Sequence, residues 1–143
     1  MSAALAGVER IDVRALPTQR WKNGAGTTRE VARGPADAGF DDFDWRISLA
    51  EIERDAPFSS FPGIERCIVL LQGAGMDLLG ESGGAVQTLN RMVPWTFDGE
   101  RALSARQRPR RVITLKSLHG PPVRRADSAR SPSKVHGTMR FRV

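Results

Sequence analysis

The sequence predicts an all-β body, folded as a sandwich or barrel, joined to an irregular basic tail. Three observations carry that prediction. Trp45, Ile47 and Leu49 alternate with Arg46, Ser48 and Ala50, the side-chain period of a half-buried strand. Turn signals recur at short intervals, at Phe61-Pro-Gly63, Gly80-Glu-Ser-Gly-Gly84 and Asp98-Gly99. No stretch of useful length repeats its apolar residues at helical spacing, and no internal repeat is present.

The elements follow in order. Val8, Ile11, Val13 and Leu16 predict a first strand, and Thr27–Arg33 a second. Phe43–Ile52 is the alternating strand. Ile64–Leu71, apolar on both parities from Cys67 on, reads as a central strand covered on both faces. Gly73 and Gly75 end it. Met76–Leu79 and Ala85–Asn90 flank the Gly80–Gly84 turn as a hairpin, and Val93–Phe97 leads into Asp98-Gly99, a tight-turn signal. Arg101–Ala105 closes the body. Beyond it only Val112-Ile-Thr-Leu115 looks strand-like. Pro109, Pro121, Pro122 and Pro132 stand among Arg and Ser, so most of Gly120–Val143 is expected to be disordered or loosely attached.

The 143 residues are enough for one domain, and the expected division is a body at 1–105 and a tail at 106–143. The net charge of +6 conceals an asymmetry. Residues 1–105 hold 11 Lys and Arg against 15 Asp and Glu, a net −4; residues 106–143 hold 11 against one, a net +10. The longest apolar run, Cys67–Leu71, falls far short of the roughly 20 residues a bilayer needs. The N-terminus lacks a basic lead and a long apolar stretch, so no secretory signal is expected. A single cysteine, Cys67, forms no internal disulfide and reads as a small buried hydrophobe in a reducing cytoplasm. Nucleic-acid binding through the tail would be non-specific and steeply salt-dependent, because Phe141 is the tail's one aromatic.

The densest run of unusual residues is Arg20-Trp-Lys-Asn-Gly-Ala-Gly-Thr-Thr-Arg-Glu-Val-Ala32. Gly24 and Gly26 raise the entropic cost of ordering it, which points to a required conformation or contact. Several motifs then occur in order: Trp21–Glu30 of that run, Phe43-Asp-Trp-Arg-Ile-Ser48, Pro57-Phe-Ser-Ser-Phe-Pro-Gly63 with Arg66, Leu70-Leu-Gln-Gly-Ala-Gly75, and Phe97-Asp-Gly-Glu100. Together, over about residues 9–105, they resemble the HutD/Ves family of cupin-like proteins. The resemblance implies a double-stranded β-helix, or jelly roll, in members that are double cupins. It also implies an association with histidine utilisation in bacteria and binding of an acidic intermediate such as formylglutamate. Past Ala105 the family pattern, a Gly-Pro-Val/Cys-x-Asp-Phe-Asn-x-Met segment and a second cupin half, gives way to Arg106-Gln-Arg-Pro-Arg-Arg111. That break is read as a frameshifted or truncated second half. It predicts an uncovered apolar surface and self-association through it.

The chemistry rests on cations. The two histidines, His119 and His136, both lie in the tail, so the body has no imidazole for a transition-metal site or for general-base chemistry near neutral pH. No metal and no cofactor is expected. Lys22, Arg29, Arg46 and Arg66 all fall in the matching motifs, and an Arg fork suits a carboxylate. Each Arg has two readings, a ligand contact or a structural pair with an acid such as Glu30, Glu51 or Glu65. Arg46 and Ser48 share the strand face opposite Trp45, and Arg66 shares a face with Ile64 and Ile68. Trp21 either walls a pocket or belongs to the core. Asn23 either supports a left-handed turn or aims its amide into the barrel mouth. Phe58 and Phe61 are core candidates, Phe61 also a ligand contact. The expected binding set is thus Trp21, Lys22, Asn23, Arg29, Glu30, Arg46, Ser48, Phe61 and Arg66, around a small anionic metabolite. The alternative is a cupin-type isomerase or hydrolase in which Glu30 transfers the proton.

Overall fold

The computed structural model describes residues 9–39, 42–108 and 112–120. Every regular element among them is a strand: β1 (Gln19–Arg20), β2 (Gly26–Gly34), β3 (Trp45–Ile52), β4 (Ala56–Pro57), β5 (Glu65–Gln72), β6 (Met76–Leu79), β7 (Ala85–Leu89), β8 (Pro94–Asp98), β9 (Ser104–Gln107) and β10 (Val112–His119). They build a six-stranded sheet, β1-β2-β3-β10-β5-β8, and a four-stranded sheet, β4-β9-β6-β7. The core lies between them, with Ile52, Ile68, Leu70 and Phe97 from the larger sheet against Met76, Leu78, Leu89 and Ala105 from the smaller. No described helix is long and apolar enough to cross a membrane.

The alternation in β3 is present, but the buried face is not the one carrying the large side chains. Ser48, Ala50 and Ile52 face inward, while Trp45, Ile47 and Leu49 are half-buried. The reason is local: the Trp45 indole lies where a side chain at Gly34 would sit, so the tryptophan covers the outer face of β2 rather than filling the core. In β5, Arg66, Ile68 and Leu70 are buried while Cys67, Val69 and Leu71 remain half-exposed. That strand is central in having β10 and β8 on its two sides, yet it is covered fully on one face only. Cys67 is therefore a half-buried free thiol, not a core residue.

One element expectation fails. The first strand, placed over residues 8–16, is a turn where it is described. Asp12 accepts from Ala15 N at 3.0 Å and its side chain accepts from Arg14 N at 3.0 Å, so a local Asp turn wins over strand propensity and pairing begins only at β1. Asp98-Gly99 turns the chain as expected, with Arg101 N donating to Asp98 O at 3.1 Å, and joins β8 of one sheet to β9 of the other. Gly99 is needed there because a Cβ would lie 2.5 Å from the carbonyl oxygens of both Phe61 and Ile64.

The boundary expected at residue 105 does not divide the fold. β9 runs on to Gln107, and β10 occupies the middle of the larger sheet, antiparallel to both β3 and β5. Arg106 and Arg108 close on Asp77 Oδ2 and Oδ1 at 3.2 and 3.5 Å. Part of the basic excess is therefore spent on the body. Residues 121–143, expected to be irregular, lie outside the described residues.

Candidate functional site

The strands of the larger sheet change character along their inner faces. On β5 the order is Arg66, Ile68, Leu70; on β3 it is Arg46, Ser48, Ala50, Ile52; on β10 it is Leu118, Lys116, Thr114. Register stacks these into rows. Arg46, Leu118, Arg66 and Phe97 lie side by side across β3, β10, β5 and β8, and Ser48, Lys116, Ile68 and Trp95 form the next row. One end of the interior is thus apolar and the other cationic. The cationic end opens into a pocket of about 490 Å³, whose lining includes Trp21, Lys22, Asn23, Arg46, Ser48, Phe58, Phe61, Arg66 and Lys116.

The Trp21 loop is fixed as one wall. Gly24 takes φ +67°, a left-handed turn closed by Gly24 N on Trp21 O at 2.9 Å. Asn23 Oδ1 accepts from Ala25 N at 2.9 Å, and Arg54 donates to Asn23 O at 2.7 Å. Gly26 is required because a Cβ would collide with the Glu51 carbonyl. Trp21 donates its indole N–H to Thr28 Oγ1 at 2.8 Å, which leaves its ring face against the pocket. Asn23 thus takes the turn-supporting role while lining the pocket, and Trp21 is both wall and core neighbour.

Arg66 is 4 % exposed. It donates to Ser59 O at 2.8 Å, and its guanidinium carbon sits 5.0 Å from the ring centres of Phe61 and Phe97 and 5.5 Å from that of Phe58. Burial lowers its pKa to about 10. Lys116 keeps a strip of surface open to the pocket, while its Nζ lies 4.1 Å from the Phe58 centroid and 5.1 Å from that of Trp21. The ring faces favour the ammonium form. Burial first, then the Arg66 charge, oppose it and bring Lys116 down to about 7. Among the described residues no carboxylate stands within ion-pair distance of Arg66 or Lys116.

Arg46 is different. Its Nε lies 2.7 Å from Glu30 Oε2, and Glu30 also accepts from Arg33 at 2.6 and 2.9 Å. A bulge between Glu30 and Ala32 resets parity, so Glu30 and Arg33 meet on the same face. Burial alone would raise the Glu30 pKa, but the bonds and charges of Arg33 and Arg46 outweigh it and hold the carboxyl ionised below its usual range.

The structure therefore gathers Trp21, Lys22, Asn23, Arg46, Ser48, Phe61 and Arg66 around one pocket and leaves two predicted residues outside its lining. Arg29 pairs in register with Leu49, on the opposite face, and donates to Thr18 Oγ1 at 2.8 Å. Glu30 holds Arg46 and Arg33 and lies outside the pocket lining. Sequence reasoning missed Lys116, because its strand was discounted with the basic tail. The signal was available, since Thr114, Lys116 and Leu118 continue the period of Val112–Leu115. Among the described residues no group of three or more His, Cys, Asp or Glu is placed to hold a metal ion.

Comparison with known proteins gives a consistent answer. The HutD family model matches residues 13–131, past the charge boundary at 105. Protein Ves from Citrobacter koseri is 42% identical over 98 residues, which is 68% of this chain and 50% of that protein. An uncharacterised 21.2 kDa protein of the hutC 3′ region in Pseudomonas putida is 36% identical over 102 residues, 71% of this chain and 53% of the other. The chain thus spans about half the length of the curated relatives it matches. The solved structure of HutD from Pseudomonas fluorescens SBW25 superimposes with a TM-score of 0.68 at 33% identity, covering 76% of this chain and 58% of that one. A Cupin_2 domain from a regulator of Enterobacter cloacae, 18% identical with a TM-score of 0.52 over 68% of this chain and 98% of its own, shares the fold alone.

Proposed function

This chain belongs to the HutD family of cupin-like, jelly-roll proteins, and we propose that its pocket binds a small acidic metabolite of the formylglutamate type without transforming it. The observation that carries the reading is the pairing of Arg66 and Lys116 on one pocket wall with no described carboxylate to neutralise them. Two cations held apart from counter-ions gain from a dicarboxylic guest, which can place one charge on the planar Arg66 fork and one near Lys116 or Lys22. The aromatic walls exclude water and strengthen those contacts. The relative named for the hutC 3′ region supports a role beside histidine utilisation, as a binder that modulates it. A cytoplasmic location belongs to the same reading. So does self-association, with Val86, Met92 and Val93 as exposed large apolar residues on which it can draw.

Calorimetric titration of the folded protein with formylglutamate, glutamate and glutarate tests the proposal. A saturable heat that the Arg66→Met variant weakens at least about tenfold is expected. Absence of saturable binding by every acid, in protein shown to be folded, contradicts it.

A further inference from the structure

The pocket holds a group that simple anion binding leaves unexplained. A lysine recruited only for its charge would gain from a carboxylate partner or from contact with water. Lys116 has no described carboxylate partner and only a strip of surface open to the pocket. It projects from the middle strand of the larger sheet, between Ser48 and Ile68, with its Nζ over the Phe58 and Trp21 rings. Arg66 stands diagonally across β5 against the same Phe58 ring, at 5.5 Å. The other charges that face this corner are Arg46 on β3, already held by Glu30 of β2, Lys22 from the loop, and Arg20 of β1, which is paired with Glu53 at 3.3 Å. Every charged residue in the pocket lining is a cation, and Glu30 and Glu53 are held by Arg46 and Arg20. An amine in an apolar pocket beside a fixed cation is the arrangement that makes lysine a nucleophile near neutral pH.

We propose that Lys116 is a Schiff-base lysine for small 2-oxo acids, with the Arg66 guanidinium holding the acid's carboxylate while the adjacent carbonyl carbon meets Lys116 Nζ. The proposal rests on the anion-binding reading of the same pocket and adds a covalent step to it. The neutral amine attacks the carbonyl carbon and an N–C bond forms. The C–O bond of the resulting carbinolamine breaks, and its oxygen leaves as water with the two amine hydrogens. The product is a C=N bond, and no oxidant or reductant takes part. Burial and Arg66, which bring Lys116 down to about 7, keep much of it in the reactive neutral form at physiological pH. Ser48, buried in the same row as Lys116, offers a hydroxyl on the pocket wall beside the departing oxygen.

The full chain is incubated with glyoxylate, pyruvate or 2-oxoglutarate in the presence of cyanoborohydride, which reduces an imine to a stable amine. Intact mass and peptide mapping then read the site. At least one of the three acids is expected to add once per chain, at Lys116, at least about tenfold faster than at Lys22, the internal reference at the same pocket. The rate at Lys116 should rise with pH through about 7, whereas an ordinary lysine needs a pH near its usual 10.5. Lys116→Arg keeps the charge and should lose the adduct while still binding acid by calorimetry; should that variant fail to fold, the ratio of Lys116 to Lys22 labelling in the native chain decides alone. Labelling of Lys116 no faster than of Lys22 by all three acids overturns the proposal. If formylglutamate, glutamate or glutarate nevertheless binds by calorimetry, the anion-site reading survives; if none of these binds either, both fall.

Discussion

At the scale of single residues, the pocket depends on which side of a strand each cation occupies. Arg46, Ser48 and Arg66 were legible from parity, because period two fixes the face once a neighbour's face is known. Glu30 and Arg29 were not, because the bulge between Glu30 and Ala32 resets parity within β2 and leaves no compositional trace. Lys116 was hidden by its context, a strand of ordinary pattern embedded in a segment of net charge +10. Its protonation has a consequence for stability. A lysine whose folded pKa is lowered to about 7 from 10.5 binds fewer protons folded than unfolded between those values. Stability therefore rises with pH across that window, with a slope of about 1.4 kcal/mol per pH unit from this group. Urea unfolding of the wild type and of Lys116→Met at several pH values should show the slope in the first and its loss in the second. The variant should also be the more stable at pH 6, where the wild type carries the buried charge in full. Asp77 runs the other way. Its bond from Thr88, then Arg106 and Arg108, hold the carboxyl low despite burial, so its contribution is present above the unfolded pKa and is lost as pH falls through the folded one. Asp77→Asn should cost about 1 kcal/mol near neutral pH, the exposure of both arginines limiting the effect, and less in acid.

At the scale of elements, the order of strands was read well where turns are made of Gly and Pro, and poorly where a side chain decides. Gly80–Gly84 closes its hairpin through Gly80 N on Gly84 O at 2.9 Å and Gly83 N on Gly80 O at 2.9 Å, as its composition suggests. The first strand failed on one Asp side chain, whereas Asp98-Gly99 turns the chain as its composition suggests, with Gly99 packed on the Phe61–Ile64 turn. The largest revision is β10. It pairs along its length with β3 on one side and β5 on the other, and it supplies Thr114, fully buried, and Leu118, 5 % exposed. Removing it would strip backbone partners from two central strands and open the core from its middle. A chain ending at residue 105 is therefore expected to be insoluble or to lack a cooperative thermal transition, and one ending at Gly120 to keep it; circular dichroism melts of the two decide. A folded, cooperative 105-residue form would show that β10 is dispensable.

For the whole molecule, the architecture explains why the binding region lies where it does. Two sheets share one core, and the apolar half of that core carries the stability while the opposite half tolerates buried cations. The fold class followed from alternation and turn spacing, and the motif order led to the family. Neither revealed that the basic segment begins inside the domain, since charge was read there as a sign of disorder. Self-association through Val86, Met92 and Val93 is tested by sedimentation velocity over a concentration series: the wild type should shift to larger species and a Val86→Ser, Met92→Ser, Val93→Ser chain should not. The central claim is that the Arg66 and Lys116 corner receives an organic acid. A crystal structure of the protein with formylglutamate at saturating concentration measures it directly. One carboxylate of the guest should lie in the plane of the Arg66 guanidinium with the chain running past Trp21 and Lys116; a guest seated on the outer face beside Arg29, or a pocket left empty at saturation, would contradict it.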